Sequence, residues 1–416
     1  MTDNTLTEMP SAGERPARKS GLRWLWLALF WIVFTAVLLE GGLRLLGGSL
    51  PGQLGVTART IMTGEPYAED WTPAWQQNRD HYYALRPNIQ NALQYGTPTV
   101  SFHLTTNKLW DDGLPADEGI GFRNPPVDYG VDAVVVGDSF GFCFTELEDC
   151  WVNIFASANN LGVVNLSQPV TGSESHFKML QDFGAAFEPP LVIWQFFGND
   201  FNDDYGLQVF RGDIEPIVDD IDAQLQPASA GGIIDWLSRN SVAFGVLETA
   251  ITGQWSGSPQ DQEVFRPQYS MNYGEGQVMQ FGKLYERTAL DMSRPANQYG
   301  LERSTSAFEQ AKSLVSEWNG ELVIVIIPTR EEVYDTLTEP IMGKAELDKQ
   351  RSARLVMLDL CSELDLRCLD LLPEFQEMAA ANAALYYADD MHLNPAGNRA
   401  LADTLTQWLS EPENQE

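Results

Sequence analysis

The chain has 416 residues and a formal net charge of −32, from 58 Asp and Glu against 26 Lys and Arg. Hydrophobic residues make up 44% and charged residues 20%, enough apolar material for a core larger than one small domain needs. So acidic a chain lacks the basic face that a nucleic-acid partner requires, and its charge serves solubility instead.

The N-terminus departs from that balance. Residues 15–23, RPARKSGLR, carry Arg15, Arg18, Lys19 and Arg23, and the next sixteen, WLWLALFWIVFTAVLL, carry no charge and one hydroxyl. With EGGLRLL behind it, a helix can run to Leu46, and about 20 apolar residues cross a bilayer core. Arg23 can snorkel, while Glu40 and Arg44 stand at i,i+4 near the far interface. A buried core helix would not be tryptophan-rich behind a basic leader, and no small-residue cleavage site is evident. The expectation is a single-pass signal anchor in the cell membrane: residues 1–20 a cytoplasmic tail, 21–46 the span, and the remainder extracytoplasmic. Other apolar runs, such as LVIWQFF and ELVIVIIP, are strand-length.

Cys143 and Cys150 are seven apart, as are Cys361 and Cys368. Outside the membrane cysteines tend to pair. Three connectivities are open, and the two local links are the preferred reading. Zinc is not expected, since no C-x-x-C occurs and the chain has only four histidines.

Residues 47–128 read as a linker, to about residue 60, and a small mixed pre-domain. Within it YYALRPNIQNAL and TVSFHLTTNKLW suggest short strands and turns. From residue 129 the pattern alternates. DAVVVGD, GVVNL, LVIWQFFGND, ELVIVIIP and RCLDL read as strands. Helices are expected over 148–160, 173–187, 303–318 and 341–365. Asn394 and Pro395 read as the N-cap and first residue of a last helix toward 410. Such alternation implies α/β architecture, a parallel sheet between helical layers, with the site beyond the strand C-terminal ends. Residues 203–303 interrupt it as an insertion within 129–416. It holds a candidate amphipathic helix around 232–251 and a hairpin-like GQVMQFGKLYERTALD, placed to shape a pocket.

Two strand ends carry candidate chemistry. VVVGDSF stops an apolar strand on Gly137, Asp138 and Ser139, and FGND stops another on Asn199 and Asp200. A serine needs a base to take its proton. His392, in YYADDMHLNPAGN, is the candidate, with Asp389 three residues before it to fix the ring's tautomer. His81, His103 and His176 lack such a neighbour and read as surface or structural. For an oxyanion, the Ser139 N–H, the Asn199 amide and the Gly172 N–H in NLSQPVTGSES are the candidate donors.

These residues resemble the SGNH branch of the GDSL esterase/lipase superfamily, in its membrane-attached bacterial form. Its blocks are matched in order by Gly137-Asp138-Ser139, Gly172, the FGND of Asn199, and Asp389 with His392, over roughly residues 129–412. The interval from Asn165 to Gly172 is longer than the second block calls for, so Val170 is an alternative to Gly172. The resemblance implies a three-layer, flavodoxin-like fold and a serine esterase. Ser139 would be its nucleophile, His392 its base and Asp389 the orienting carboxylate, with Ser139 N–H, Gly172 N–H and Asn199 holding the oxyanion. No metal and no cofactor are called for. The substrate class is a carboxylic ester, with O-acetyl groups of cell-surface carbohydrate, or an acylated lipid, as candidates. An acyltransferase would use the same residues with a sugar hydroxyl replacing water. A non-catalytic envelope protein that kept the scaffold for binding is the third reading.

Overall fold

A computed structural model describes residues 20–47, 50, 53–63, 74–95, 99–109, 119–124, 130–218, 232–252, 267–273 and 277–411. Of the expected tail, residues 1–20, all but Ser20 lie outside them, Arg15, Arg18 and Lys19 included.

The first helix, α1 (Ser20–Leu46), has an apolar stretch at Trp26–Leu46 long enough to cross a membrane, and none of it is buried against the protein. Helix α2 (Gln53–Thr63) follows. Strands β1 (Trp75–Asn78) and β2 (Tyr82–Leu85) pair antiparallel, as do β3 (Ala92–Tyr95) and β4 (Ser101–Leu104). Phe102, Leu104, Leu85 and Val100 pack with Phe142 into a small apolar cluster beneath the Ser139 turn.

The main sheet is built from β5 (Ala133–Val136), β6 (Val163–Asn165), β7 (Leu191–Phe196), β10 (Glu321–Ile326) and β11 (Arg367–Asp370). All its pairings are parallel, in the order β11-β10-β7-β5-β6. This is the 2-1-3-4-5 order of a flavodoxin-like sheet. The order reverses between β5 and β7, which is where such sheets place their sites. The continuous valine and isoleucine runs that looked like strands do form them, because a parallel sheet is covered on both faces. Val134, Ile193, Ile324 and Val325 are fully buried at its centre.

Between the strands come α3 (Ser139–Phe142), α4 (Trp151–Asn159), α5 (Ser173–Met179) and α6 (Asp200–Arg211). The insertion supplies α7 (Ile233–Asn240), α8 (Val242–Thr252), strands β8 (Tyr269–Tyr273) and β9 (Gln277–Phe281), and α9 (Leu284–Ala289). The long α10 (Pro295–Ser316) then packs on α5 and α6, while α16 (Pro395–Ser410) packs on α4. Gly300 of α10 lets that contact close, since a Cβ there would lie 1.7 Å from the Phe201 carbonyl.

Three local expectations are corrected. The helix expected over 341–365 is broken into α12 (Asp335–Met342), α13 (Lys344–Gln350) and α14 (Ser352–Glu363), after the single turn α11 (Arg330–Val333). Gly343, at φ +83, takes the left-handed backbone that ends α12. The helix expected over 232–251 is split at Ser241, whose backbone is extended. The run GQVMQFGKLYERTALD is not itself a hairpin. Its first half is β9, paired with β8 upstream, and its second half is α9. Helix α15 (Leu372–Ala380) follows β11. At α16 the Asn394 side chain accepts hydrogen bonds from the N–H groups of Ala396 and Gly397 at 2.9 and 3.0 Å. Pro395 stands in the first turn, where its missing N–H costs nothing.

Candidate active site

Strand β5 stops where its backbone meets a side chain of the neighbouring strand. A Cβ at Gly137 would lie 2.4 Å from Gln195 Oε1. That oxygen accepts from the N–H groups of Asp138 and Gly141, each at 2.9 Å. The Asp138 carboxylate then caps α3 by accepting from the Phe140 N–H at 2.8 Å. The result is a single helical turn that begins at Ser139 and ends at Cys143, whose φ is +64. Buried Arg123, a residue sequence reading missed, donates to the carbonyls of Phe142 and Thr145 at 3.0 and 2.6 Å and also to that of Cys143. A Cys143–Cys150 disulfide ties off the same turn, and Cys361–Cys368 links α14 to β11. Both are the local pairs.

The Ser139 Oγ lies 2.8 Å from His392 Nε2, although 253 residues separate them. The other ring nitrogen meets a carboxylate, but it is that of Asp390 and not Asp389. The reason is local. Asp390 Oδ1 also accepts the His392 backbone N–H at 2.9 Å, an Asx-turn that carries the carboxylate under the near ring nitrogen. Asp389 instead accepts from the Thr99 hydroxyl. Burial favours the neutral form of Asp390. The charge of His392, its hydrogen bonds and the nearby Lys283 outweigh this and hold the carboxyl well below the usual range.

The loop is fixed through its backbone. Arg330, fully buried on α11, donates to the Asp390 carbonyl at 2.8 Å and to that of Tyr387 at 3.4 Å. The Gln280 N–H of β9 donates to the Ala388 carbonyl at 2.7 Å. The Tyr387 hydroxyl donates to the Phe144 carbonyl at 2.9 Å. Phe144 stacks on the His392 ring at 4.3 Å, and Phe140 lies 4.9 Å from it.

The candidate oxyanion donors fall as follows. Ser139 is the first residue of α3. Asn199, 6% exposed, stands at the start of α6 and gives one amide hydrogen to Asp203 Oδ2 at 2.9 Å. The Asp138 carboxylate and the buried Tyr285 hydroxyl also lie within hydrogen-bond reach of that amide. Gly172 caps α5 against α6, and its lack of a side chain is explained by packing. A Cβ there would lie 2.4 Å from the Asp200 carbonyl. In the same turn Val170 has φ +58, a left-handed backbone that β-branched residues rarely take.

Beneath the site lies a set of buried acids. Burial pushes Asp138 up to about 6 and Asp204 up to about 8. It also raises Asp200 and Asp203 well above the carboxylate range, with the neighbouring acids adding to the effect. His176 is buried and pushed down to about 3, so it is neutral. His81 is buried 3.5 Å from Asp182, and the half-exposed His103 lies 2.9 Å from Glu146. None of these three meets Ser139. Among the described residues no group of three or more His, Cys, Asp or Glu is arranged to hold a metal.

Residues 284–416 match the family described as "SGNH hydrolase-like domain, acetyltransferase AlgX". No curated protein matches the chain. Among solved structures it is similar to the acetyl xylan esterase AlAXEase, at 10% identity and a TM-score of 0.34, over 66% of this chain and 98% of that one. A lipolytic G-D-S-L family protein from Veillonella parvula gives 10% and 0.34, over 66% and 96%. A variant of an acetyl-xylooligosaccharide esterase from Geobacillus Stearmophilus gives 11% and 0.35, over 68% and 96%.

Two outcomes are expected. Asp390→Asn keeps the loop but offers the ring a wrong partner, and should slow reaction of Ser139 with a fluorophosphonate by about ten-thousand-fold. Asp389→Asn should leave that rate within a few-fold of wild type, and equal losses would contradict the assignment. The second concerns Asp204. It stays protonated in the folded chain to about pH 8, whereas unfolded it ionises near ~3.9. Between these values the folded state holds the extra proton, so its contribution to stability falls as pH rises. Asp204→Asn should flatten the decline of melting temperature between about pH 4 and pH 8. Parallel curves for variant and wild type would refute this.

Proposed function

We propose that this chain, a member of the SGNH/GDSL superfamily, is a membrane-anchored, extracytoplasmic serine enzyme that handles acyl groups on carboxylic esters. The observation that carries the reading is the continuous path from Ser139 Oγ through both ring nitrogens of His392 to Asp390. Ser139 attacks the ester carbonyl while His392 Nε2 takes its proton. Asp390 fixes the ring as the tautomer that presents a lone pair at Nε2, and stabilises the imidazolium that forms. The developing oxyanion is met by the Ser139 N–H, the Asn199 amide and an N–H from the 170–172 turn. His392 then returns the proton to the leaving alcohol, and an acyl-Ser139 remains.

Two acceptors can resolve that intermediate. Water makes the protein an esterase, with O-acetylated carbohydrate outside the membrane as the substrate class that fits the topology. The acetyltransferase named in the matching family description favours a second reading, in which a carbohydrate hydroxyl takes the acetyl group. A scaffold kept only for binding would have no use for a serine, imidazole and carboxylate in hydrogen-bonding order. The basic leader and apolar α1 support anchoring, with the N-terminus inside.

The test uses folded Ser139→Ala protein and an activated acetyl ester, with and without an unacetylated oligosaccharide. Ser139→Ala should lose all turnover, and wild type should yield free acetate alone or acetylated sugar as well. Undiminished turnover by the variant would reject the reading. Acetylated sugar in excess of acetate would decide for transfer.

A further inference from the structure

The insertion does more than approach the active edge, because its helices α7 and α8 fasten to the end of the anchor. Glu40, the first charge after the apolar run of α1, takes the N-terminus of α8. Its carboxylate accepts from the N–H groups of Val242 and Ala243 at 3.1 and 3.0 Å and from the Ser241 hydroxyl at 2.8 Å. Arg44, paired with Glu40 at 2.7 Å, donates to the Asn240 carbonyl at 2.8 Å and so holds the end of α7. Val242 and Val246 of α8 pack on Ala58 of α2, with Leu43 of α1 against them. Thr249 hydrogen bonds to Thr57 at 3.0 Å. These contacts use one side of the pair. Ile233, Ile234 and Trp236 of α7, and Leu247 and Ile251 of α8, are left exposed, Trp236 at 61% and Ile251 at 74%.

We propose that α7 and α8 lie in the outer interface of the bilayer that α1 spans, with these five apolar side chains in the lipid. This rests on the anchoring reading above. The occupant follows from continuity: the first charged residue after the uncharged run of α1, near the outer end of the span, is the one that binds α8, so the pair starts close to the depth where the membrane ends. Ten residues, Val242–Ile251, form an apolar helix too short to cross. A short helix with one apolar face lies in the interface plane, and a tryptophan favours that depth. The segment 233–252 carries Asp235, Arg239 and Glu248. Its attraction to lipid is therefore apolar and not an attraction of basic groups for anionic headgroups.

The experiment places the full-length chain in phosphatidylethanolamine/phosphatidylglycerol nanodiscs with the native disulfides intact. Nitroxide labels are introduced singly through Ile234→Cys, Ile251→Cys, Trp31→Cys in α1 and Asp403→Cys on α16. Labels at 234 and 251 should collide with lipid-dissolved oxygen in preference to an aqueous nickel chelate, as the label at 31 does and the label at 403 does not. Molar salt should leave this unchanged. If 234 and 251 behave like 403 while 31 stays in lipid, the proposal fails and anchoring stands. If 31 is also nickel-accessible, anchoring itself fails. A label at 234 or 251 shielded from both reagents and broadened by the same label on another chain would mean that a second copy covers this face, which also overturns the proposal.

Discussion

The His392 ring, held between the Ser139 hydroxyl and the Asp390 carboxylate, is the contact on which the rest of this structure converges. A ring nitrogen must sit within hydrogen-bond reach of a serine 253 residues away. That demands two rigid supports. One is the turn after β5, set by the Gln195 amide, the Asp138 cap and the Arg123 guanidinium. The other is the loop before α16, whose carbonyls are held by Arg330 and Gln280. Both supports draw mainly on residues outside the Ser139–His392–Asp390 set, and Asp390 adds its own bond to the His392 N–H.

The second support explains part of the insertion. Strand β9 hydrogen bonds to the histidine loop, and the Gly282 N–H that follows it donates to Glu331 at 3.0 Å, beside Arg330. The Phe281 ring lies 5.1 Å from the Arg330 guanidinium. The insertion therefore buttresses the candidate site from one segment, β8–α9, and meets α1 through another, α7–α8. The candidate site and the apolar N-terminal helix are contacted by different helices and strands of one excursion from the α/β rhythm.

Much of this was legible in the sequence because it depends on short-range rules. Valine and isoleucine runs marked the sheet, small polar residues at their ends marked the active edge, and Asn394-Pro395 marked the last helix. What was not legible depended on contacts between distant segments. Asp389 and Asp390 are adjacent and chemically identical. A spacing rule selects the first, while the i→i+2 Asx-turn geometry open to Asp390 selects the second. That turn was the available signal. Gly172 was read as an oxyanion donor, and its missing side chain is required also by the close approach of α6. Arg123 and Gln195 carry no motif at all, since their roles lie in carbonyls and N–H groups that only the fold brings near.

The central claim is that Ser139 becomes acylated through His392 and Asp390. Its most direct test is intact-mass and peptide mass spectrometry of the full-length chain, quenched during turnover of an activated acetyl ester. One acetyl group per chain should appear, on the peptide containing Ser139, and it should be absent from Asp390→Asn quenched at the same time. Turnover with the acetyl group on another residue, or with no covalent intermediate even under rapid quench, would contradict the account.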